Sequence, residues 1–120
     1  DRERKSVGAE RTFSDDTSDP EEMLSRLEPI AERVSGRLEN AGRKGRTVTL
    51  KLKSHNHEVS TRQTTLRRAV RSEKDLMRLA ERLLRRPHPP GEPVRLLGIS
   101  VSALTGEEGG EQLEFDFEGE

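Results

Sequence analysis

Cysteine, tryptophan and tyrosine are absent from the 120 residues, and phenylalanine occurs only as Phe13, Phe115 and Phe117. Without cysteine there is no disulfide framework and no thiolate metal site. With so few aromatic rings, a surface that stacks unpaired bases has almost nothing to build on. Hydrophobic residues make up 28% of the chain and charged residues 38%, enough for one domain with one modest core and some chain outside it. No apolar run approaches membrane-spanning length, and the start of the chain has no signal-peptide apolar stretch. A cytoplasmic, monomeric protein is expected. The opening residues Asp1-Arg2-Glu3-Arg4-Lys5 include no initiator methionine and suggest a piece of a longer protein, a processed terminus being the alternative.

What the chain does have is charge, unevenly placed. Residues Glu107 to Glu120 hold seven acids and no Lys or Arg, interleaved with Gly109, Gly110 and Gly119, so residues 106–120 are expected to form a flexible acidic tail. The net charge of −1 therefore hides a body, residues 1–106, with 22 cations against 16 acids. Arg43 to Arg71 contains nine cations and one acid, Glu58, whereas Asp15 to Asn40 contains eight acids and three Arg. A field segregated in this way favours a polyanionic partner. A merely solvated surface is the plainer alternative, because charged outward positions also deter sheet edges from aggregating.

The pattern of elements is strand–helix–strand–strand–helix–strand. Lys5–Phe13 is a short first strand loosened by Gly8. Asp19-Pro20-Glu21-Glu22 starts a helix, with Asp19 as the cap, Pro20 at the first helical position and Glu22 at the capping-box position. Met23, Leu27, Ile30, Val34, Leu38 and Ala41 give it one apolar stripe, Pro29 should kink it, and Gly42 should stop it. Arg46–Lys53 alternates strictly, with Val48, Leu50 and Leu52 on one face and Thr47, Thr49, Lys51 and Lys53 on the other. Glu58–Leu66 is a further strand across a turn at Ser54-His55-Asn56-His57. A second helix starts at Ser72, with Asp75 at its capping-box position and a stripe of Leu76, Leu79, Ala80, Leu83 and Leu84. In the last strand, Val94–Leu104, Leu97, Ile99, Val101 and Ala103 share one face, and Arg95 and Leu96 break the alternation as a bulge would.

This order predicts an α+β domain, βαββαβ, with a four-stranded sheet, two helices on one face and an open basic face. The open face is expected to carry Thr47, Thr49, Lys51, Lys53, Ser100 and Ser102, with Ser60, Arg62 and Thr64 from the third strand. Such a face suits phosphate, with hydroxyls and amides as donors and Lys51, Lys53 and Arg62 as cations. Backbone recognition of a duplex follows, tolerant of sequence and sensitive to salt.

Other motifs carry less. His55 and His57 have no companions for a metal site and are read as a polar turn, and His88 among prolines as a loop residue. Gly42-Arg43-Lys44-Gly45 lacks the Gly-Lys-Ser/Thr of a nucleotide-binding loop and is read as a helix cap and turn. No catalytic or metal residue can be assigned. In the tail, Gln112-Leu113-Glu114-Phe115-Asp116-Phe117 looks like a short linear motif that fills pockets on a partner, the plainer alternative being a chance apolar run.

Lys5-Ser6-Val7-Gly8 with Glu10, Thr12 and Phe13, then Gly45 to Lys53, then Val94 to Ser102, together resemble the C-terminal "little finger" of Y-family translesion DNA polymerases, bacterial members above all. The resemblance spans about residues 4–104. It implies that residues 1–5 end a linker and that residues 6–105 form a domain resting its open sheet in the major groove of primer–template DNA. It adds Lys5, Ser6, Val7 and Gly8 to the DNA-contacting set. The resemblance also implies that the catalytic palm, with the Mg²⁺ its carboxylates hold, lies upstream of Asp1, so no cofactor is expected in these residues. The tail resembles the motif that docks on the ring-shaped β sliding clamp through Gln112, Leu113, Phe115 and Phe117, although Asp116 separates two apolar residues that are commonly adjacent. A protein-interaction adaptor and a self-contained enzyme are the rival classes.

Overall fold

In the computed structural model, residues 5–106 are described. Asp19 caps the first helix, α1 (Pro20–Ala41), by accepting from the Glu21 amide at 3.0 Å, with Pro20 placed where a missing N–H costs nothing. Glu22 does not close a capping box. Its carboxylate instead accepts from Thr17 Oγ1 at 3.1 Å and from Arg26 at 2.8 Å, and the Asp19 amide donates to Thr17. The hydrogen bond from Arg26, then that from Thr17, holds the Glu22 carboxyl below the usual carboxylate range. That small contribution is present at neutral pH and is lost as acidification protonates the group. Gly42 ends the helix at φ 66°, in the left-handed region where a Cβ is disfavoured. Pro29 lies on the exposed side within a helix that runs unbroken to Ala41.

The second helix, α2 (Glu73–Arg85), is capped by Ser72, whose side chain accepts from the Asp75 amide at 3.1 Å. Its stripe of Leu76, Leu79, Ala80, Leu83 and Leu84 is wholly buried. In α1 the buried set is Met23, Leu27, Ile30, Ala31, Val34 and Leu38, while Ala41, expected in the stripe, is exposed.

The strands are β1 (Ser6–Thr17), β2 (Arg43–Ser54), β3 (Val59–Val70) and β4 (Val94–Gly106). They pair antiparallel in the order β1-β4-β2-β3, which puts the first and last strands side by side. Ser6 lies opposite Ser102, so the described chain enters and leaves the sheet at one end. Every strand runs past its expected C-terminal end, while β1 and β3 begin one residue later than expected, and β4 continues to Gly106, the first residue assigned to the tail. The irregularity foreseen near Arg95 is present. Lys53 pairs with Leu96 and Ser54 with Val94, leaving Arg95 as the extra residue.

Val48, Leu50 and Leu52 of β2 and Leu97, Ile99 and Val101 of β4 join both helical stripes in one core. Helix α1 lies over β1 and β4, and α2 over β2 and β3. Ala103 does not share the core face. Its φ of 53° turns the strand, and Leu104 packs against the core instead. No helix among the described residues is long and apolar enough to cross a membrane.

Candidate nucleic-acid interface

The side of the sheet away from the helices is a lattice of short polar side chains, fixed by the pairing. Because residues directly opposite in a ladder point to the same face, each aligned set forms a row across all four strands. The rows are Ser6, Ser102, Thr47 and Thr65; Gly8, Ser100, Thr49 and Gln63; Glu10, Gly98, Lys51 and Thr61; and Thr12, Leu96, Lys53 and Val59. Side-chain contacts run along them: Thr47 Oγ1 to Thr65 Oγ1 at 2.9 Å, Thr49 Oγ1 to Gln63 Oε1 at 3.3 Å, and Lys51 Nζ to Glu10 Oε1 at 2.9 Å.

Two glycines keep the face low. A Cβ at Gly8 would lie 2.8 Å from Ser100 Cβ, and one at Gly98 would lie 2.9 Å from Glu10 Cβ. Between them runs a shallow trough of about 380 Å³ lined by Gly8, Glu10, Thr49, Lys51, Thr61, Gly98 and Ser100, among others. The only large apolar side chain left exposed among the described residues is Val59, at the edge of the last row. No aromatic ring lies in the rows. Phe13 packs against the core, with the Arg26 guanidinium 4.6 Å from its ring centre.

Thr47, Thr49, Lys51, Lys53, Ser100, Ser102, Ser6 and Gly8 thus share the open face, and Lys5 precedes the first row, exposed. Four expected residues do not share it. Val7 faces Val101 within the core and is 3% exposed. Ser60, Arg62 and Thr64 pair with Leu52, Leu50 and Val48, so they point to the helical side. A strand's side chains alternate with period two, and choosing the wrong parity for β3 moves the whole set to the other face. The residues that do occupy the face are Thr61, Gln63 and Thr65. Leu66 held the signal, since it packs on the core and shares its parity with Arg62 and Thr64.

Arg62 has a different task. Its Nη1, sharing two hydrogens among four acceptors, lies within reach of the carbonyl oxygens of Leu83 at 2.9 Å, Leu84 at 2.8 Å, Arg86 at 3.3 Å and His88 at 2.8 Å. These are acceptors that the end of α2 and the turn after it leave without intrahelical donors. The guanidinium also places positive charge at the negative end of the helix dipole.

The face is therefore less basic than its sequence suggested. Its rows hold Lys51 and Lys53 against Glu10, and the cations gather at one end instead. Pairing of Gly45 with Val70 brings Arg43, Lys44 and Arg46 of β2 beside Arg67, Arg68 and Arg71 around the end of β3. Sequence reasoning counted these charges without placing them, because their convergence depends on the β2–β3 register. Ser54 to His57 forms the expected polar turn, with the His57 amide donating to Ser54 O at 2.9 Å, and His55 Nε2 lies 3.0 Å from Glu92. Among the described residues no three His, Asp or Glu side chains are grouped to hold a metal ion. The tail residues Gln112, Leu113, Phe115 and Phe117 lie outside the described residues.

Residues 4–115 match the impB/mucB/samB family C-terminal domain. A protein described as DNA polymerase IV from Alkalilimnicola ehrlichii is 46% identical over 103 residues, which is 86% of this chain and 29% of that protein. One of the same description from Staphylococcus epidermidis is 37% identical with the same coverage. The chain thus spans less than a third of the length of these relatives. Among solved structures, a Y-family DNA polymerase chimera aligns with a TM-score of 0.73 at 18% identity, over 87% of this chain and 30% of that one. The complex of beta-clamp processivity factor and little finger domain of PolIV aligns with a TM-score of 0.64 at 22% identity, over 96% of this chain and 95% of that one. These two likenesses carry the fold.

Proposed function

The chain belongs to the impB/mucB/samB C-terminal domain family, the little finger domains of Y-family DNA polymerases, and from that membership and its surface we propose that it holds primer–template DNA for an error-prone, translesion polymerase. The open sheet lies in the major groove. Its hydroxyls and amides meet sugar and phosphate, Lys51 and Lys53 supply charge on the face, and the arginine-rich end reaches a second stretch of backbone. The observation that carries this reading is the low, hydroxyl-lined lattice with cations at its end and no aromatic ring in its rows. A major groove is about 12 Å wide and admits a two-stranded ribbon, so a flat polar sheet can approach it without reading base sequence. Binding, not chemistry, is the role assigned to these residues.

Titration of a fluorescent primer–template duplex across a salt series tests the assignment. Lys51→Ala/Lys53→Ala should weaken binding by about tenfold at low salt and flatten the log–log salt dependence by between about one and two units. Arg46→Ala/Arg68→Ala should flatten it further. Unchanged affinity in both double variants would show that DNA is held elsewhere or not at all, and preferential binding to an acidic protein would favour an adaptor role.

Docking on a β sliding clamp through Gln112, Leu113, Phe115 and Phe117 is the second part of the proposal. It is supported by the apolar run within an otherwise Gly- and Glu-rich sequence and by a structural neighbour that is a complex of beta-clamp processivity factor and little finger domain. Replacing all four by alanine should abolish clamp binding in a titration while duplex affinity stays within roughly twofold. Clamp binding that survives the change would remove this part.

A further inference from the structure

Glu10 is the sole acid in the four rows of the open face, and it sits where a carboxylate is least expected on a phosphate-seeking surface. Its position is built. Glu10 and Lys51 both lie opposite Gly98, on either side of the central strand β4, and their side chains close over that glycine at 2.9 Å. Any Cβ at position 98 would crowd Glu10 Cβ, so the missing side chain is what opens the path between them. Lys53, one row further on, faces Leu96 and Thr12 and has no ion-pair partner among the described residues. The two lysines of the face are therefore not equivalent.

We propose that Glu10 is a resident competitor for Lys51, so that a DNA phosphate gains that lysine only by displacing the carboxylate. The proposal rests on the reading of this face as the duplex-binding surface. The pair is half-exposed, at 39% for Lys51 and 50% for Glu10, and exposed pairs of this kind are weak enough to exchange with another anion. Lys53 is available to phosphate at all times, Lys51 only in exchange. Glu10 thus limits how tightly the domain grips and how steeply that grip responds to salt, because a lysine already neutralised by protein releases fewer counterions from DNA. For a module that holds a duplex which has to slide past, a limited grip is an advantage, and here it comes from one carboxylate.

The experiment is duplex titration by the full 120-residue chain across a salt series, with thermal melts confirming that each variant is folded. Glu10→Gln, which keeps shape and hydrogen bonding but removes the charge, should tighten binding by about five- to tenfold at low salt and steepen the log–log slope by about one unit. Glu32→Gln, on the exposed side of α1, changes net charge equally and should leave both quantities as in the parent. If Glu32→Gln matches Glu10→Gln, the effect is one of net charge and the inference is overturned. If Glu10→Gln behaves as the parent while Lys51→Ala/Lys53→Ala weakens binding, the competitor role fails and the binding face stands. If neither change alters affinity, the face itself is misassigned and this inference falls with it.

Discussion

Arg62→Ala is expected to lower the melting temperature by on the order of 10–20 °C while leaving duplex affinity, measured well below the melt, within roughly twofold of the parent. One guanidinium nitrogen serves the carbonyls of Leu83, Leu84, Arg86 and His88, and alanine leaves all four without that donor. Hydrogen bonds from a charged donor contribute about 1.5–3 kcal/mol, and orphaned, partly buried acceptors add to the loss. About 2–3 kcal/mol is therefore at stake, and in a domain of this size each kcal/mol moves the midpoint by roughly 4–8 °C. Arg62→Lys should recover less than half, because the lysine Nζ lies one bond nearer the backbone than Nη1 and falls short of the carbonyls at the helix end. Circular dichroism melts with parallel binding curves decide the matter. A variant that melts like the parent but loses DNA would return Arg62 to the binding surface.

Gly45→Ala should be the most damaging single methyl in the molecule. Gly45 is buried where β2 pairs with Leu104 of β4, and a Cβ there would collide with Val101 Cγ1 and lie 2.5 Å from the Ser102 carbonyl oxygen. The second neighbour is backbone in a strand paired on both sides, so it cannot move aside without breaking ladder hydrogen bonds. Overpacking of this kind costs about 3 kcal/mol or more. Gly36 is the matched control. Nothing lies within 4 Å of its virtual Cβ on α1, so Gly36→Ala should raise stability by about 0.5–1 kcal/mol through helix propensity. Denaturant unfolding of both variants checks the pair, and equal midpoints would mean that the β2–β4 ladder around Gly45 yields more readily than its geometry suggests.

How far the fold was legible depended on whether the signal was local. Asp19-Pro20 and Gly42 bound α1, and Ser72 starts α2, because caps act within one turn of chain. The alternation of β2 was readable because Val48, Leu50 and Leu52 bury one clean face. As far as Leu66, strand β3 carries one large apolar residue on each face, Val59 on one and Leu66 on the other, so Leu66 marks the core side only once the pairing with β2 shows Val59 exposed. That is why Ser60, Arg62 and Thr64 were placed on the wrong side, and why Thr61, Gln63 and Thr65 were missed. Strand β1 was cut short for a similar reason: its register slips after Thr12, and the polar run from Ser14 to Asp16 shows no alternation to follow. Glu10 gains its meaning only from Lys51, a residue 41 positions away that meets it across a third strand.

The pairing of first and last strands has a mechanical corollary. Chain entry at Ser6 and exit past Ser102 lie at one end of an antiparallel pair, so tension applied between those two points would load the β1–β4 ladder one rung at a time, like a zipper, instead of shearing all its rungs together. Under pulling, such a seam gives way at low force and opens from that end first. The sheet is thus least resistant to traction between its own first and last strands.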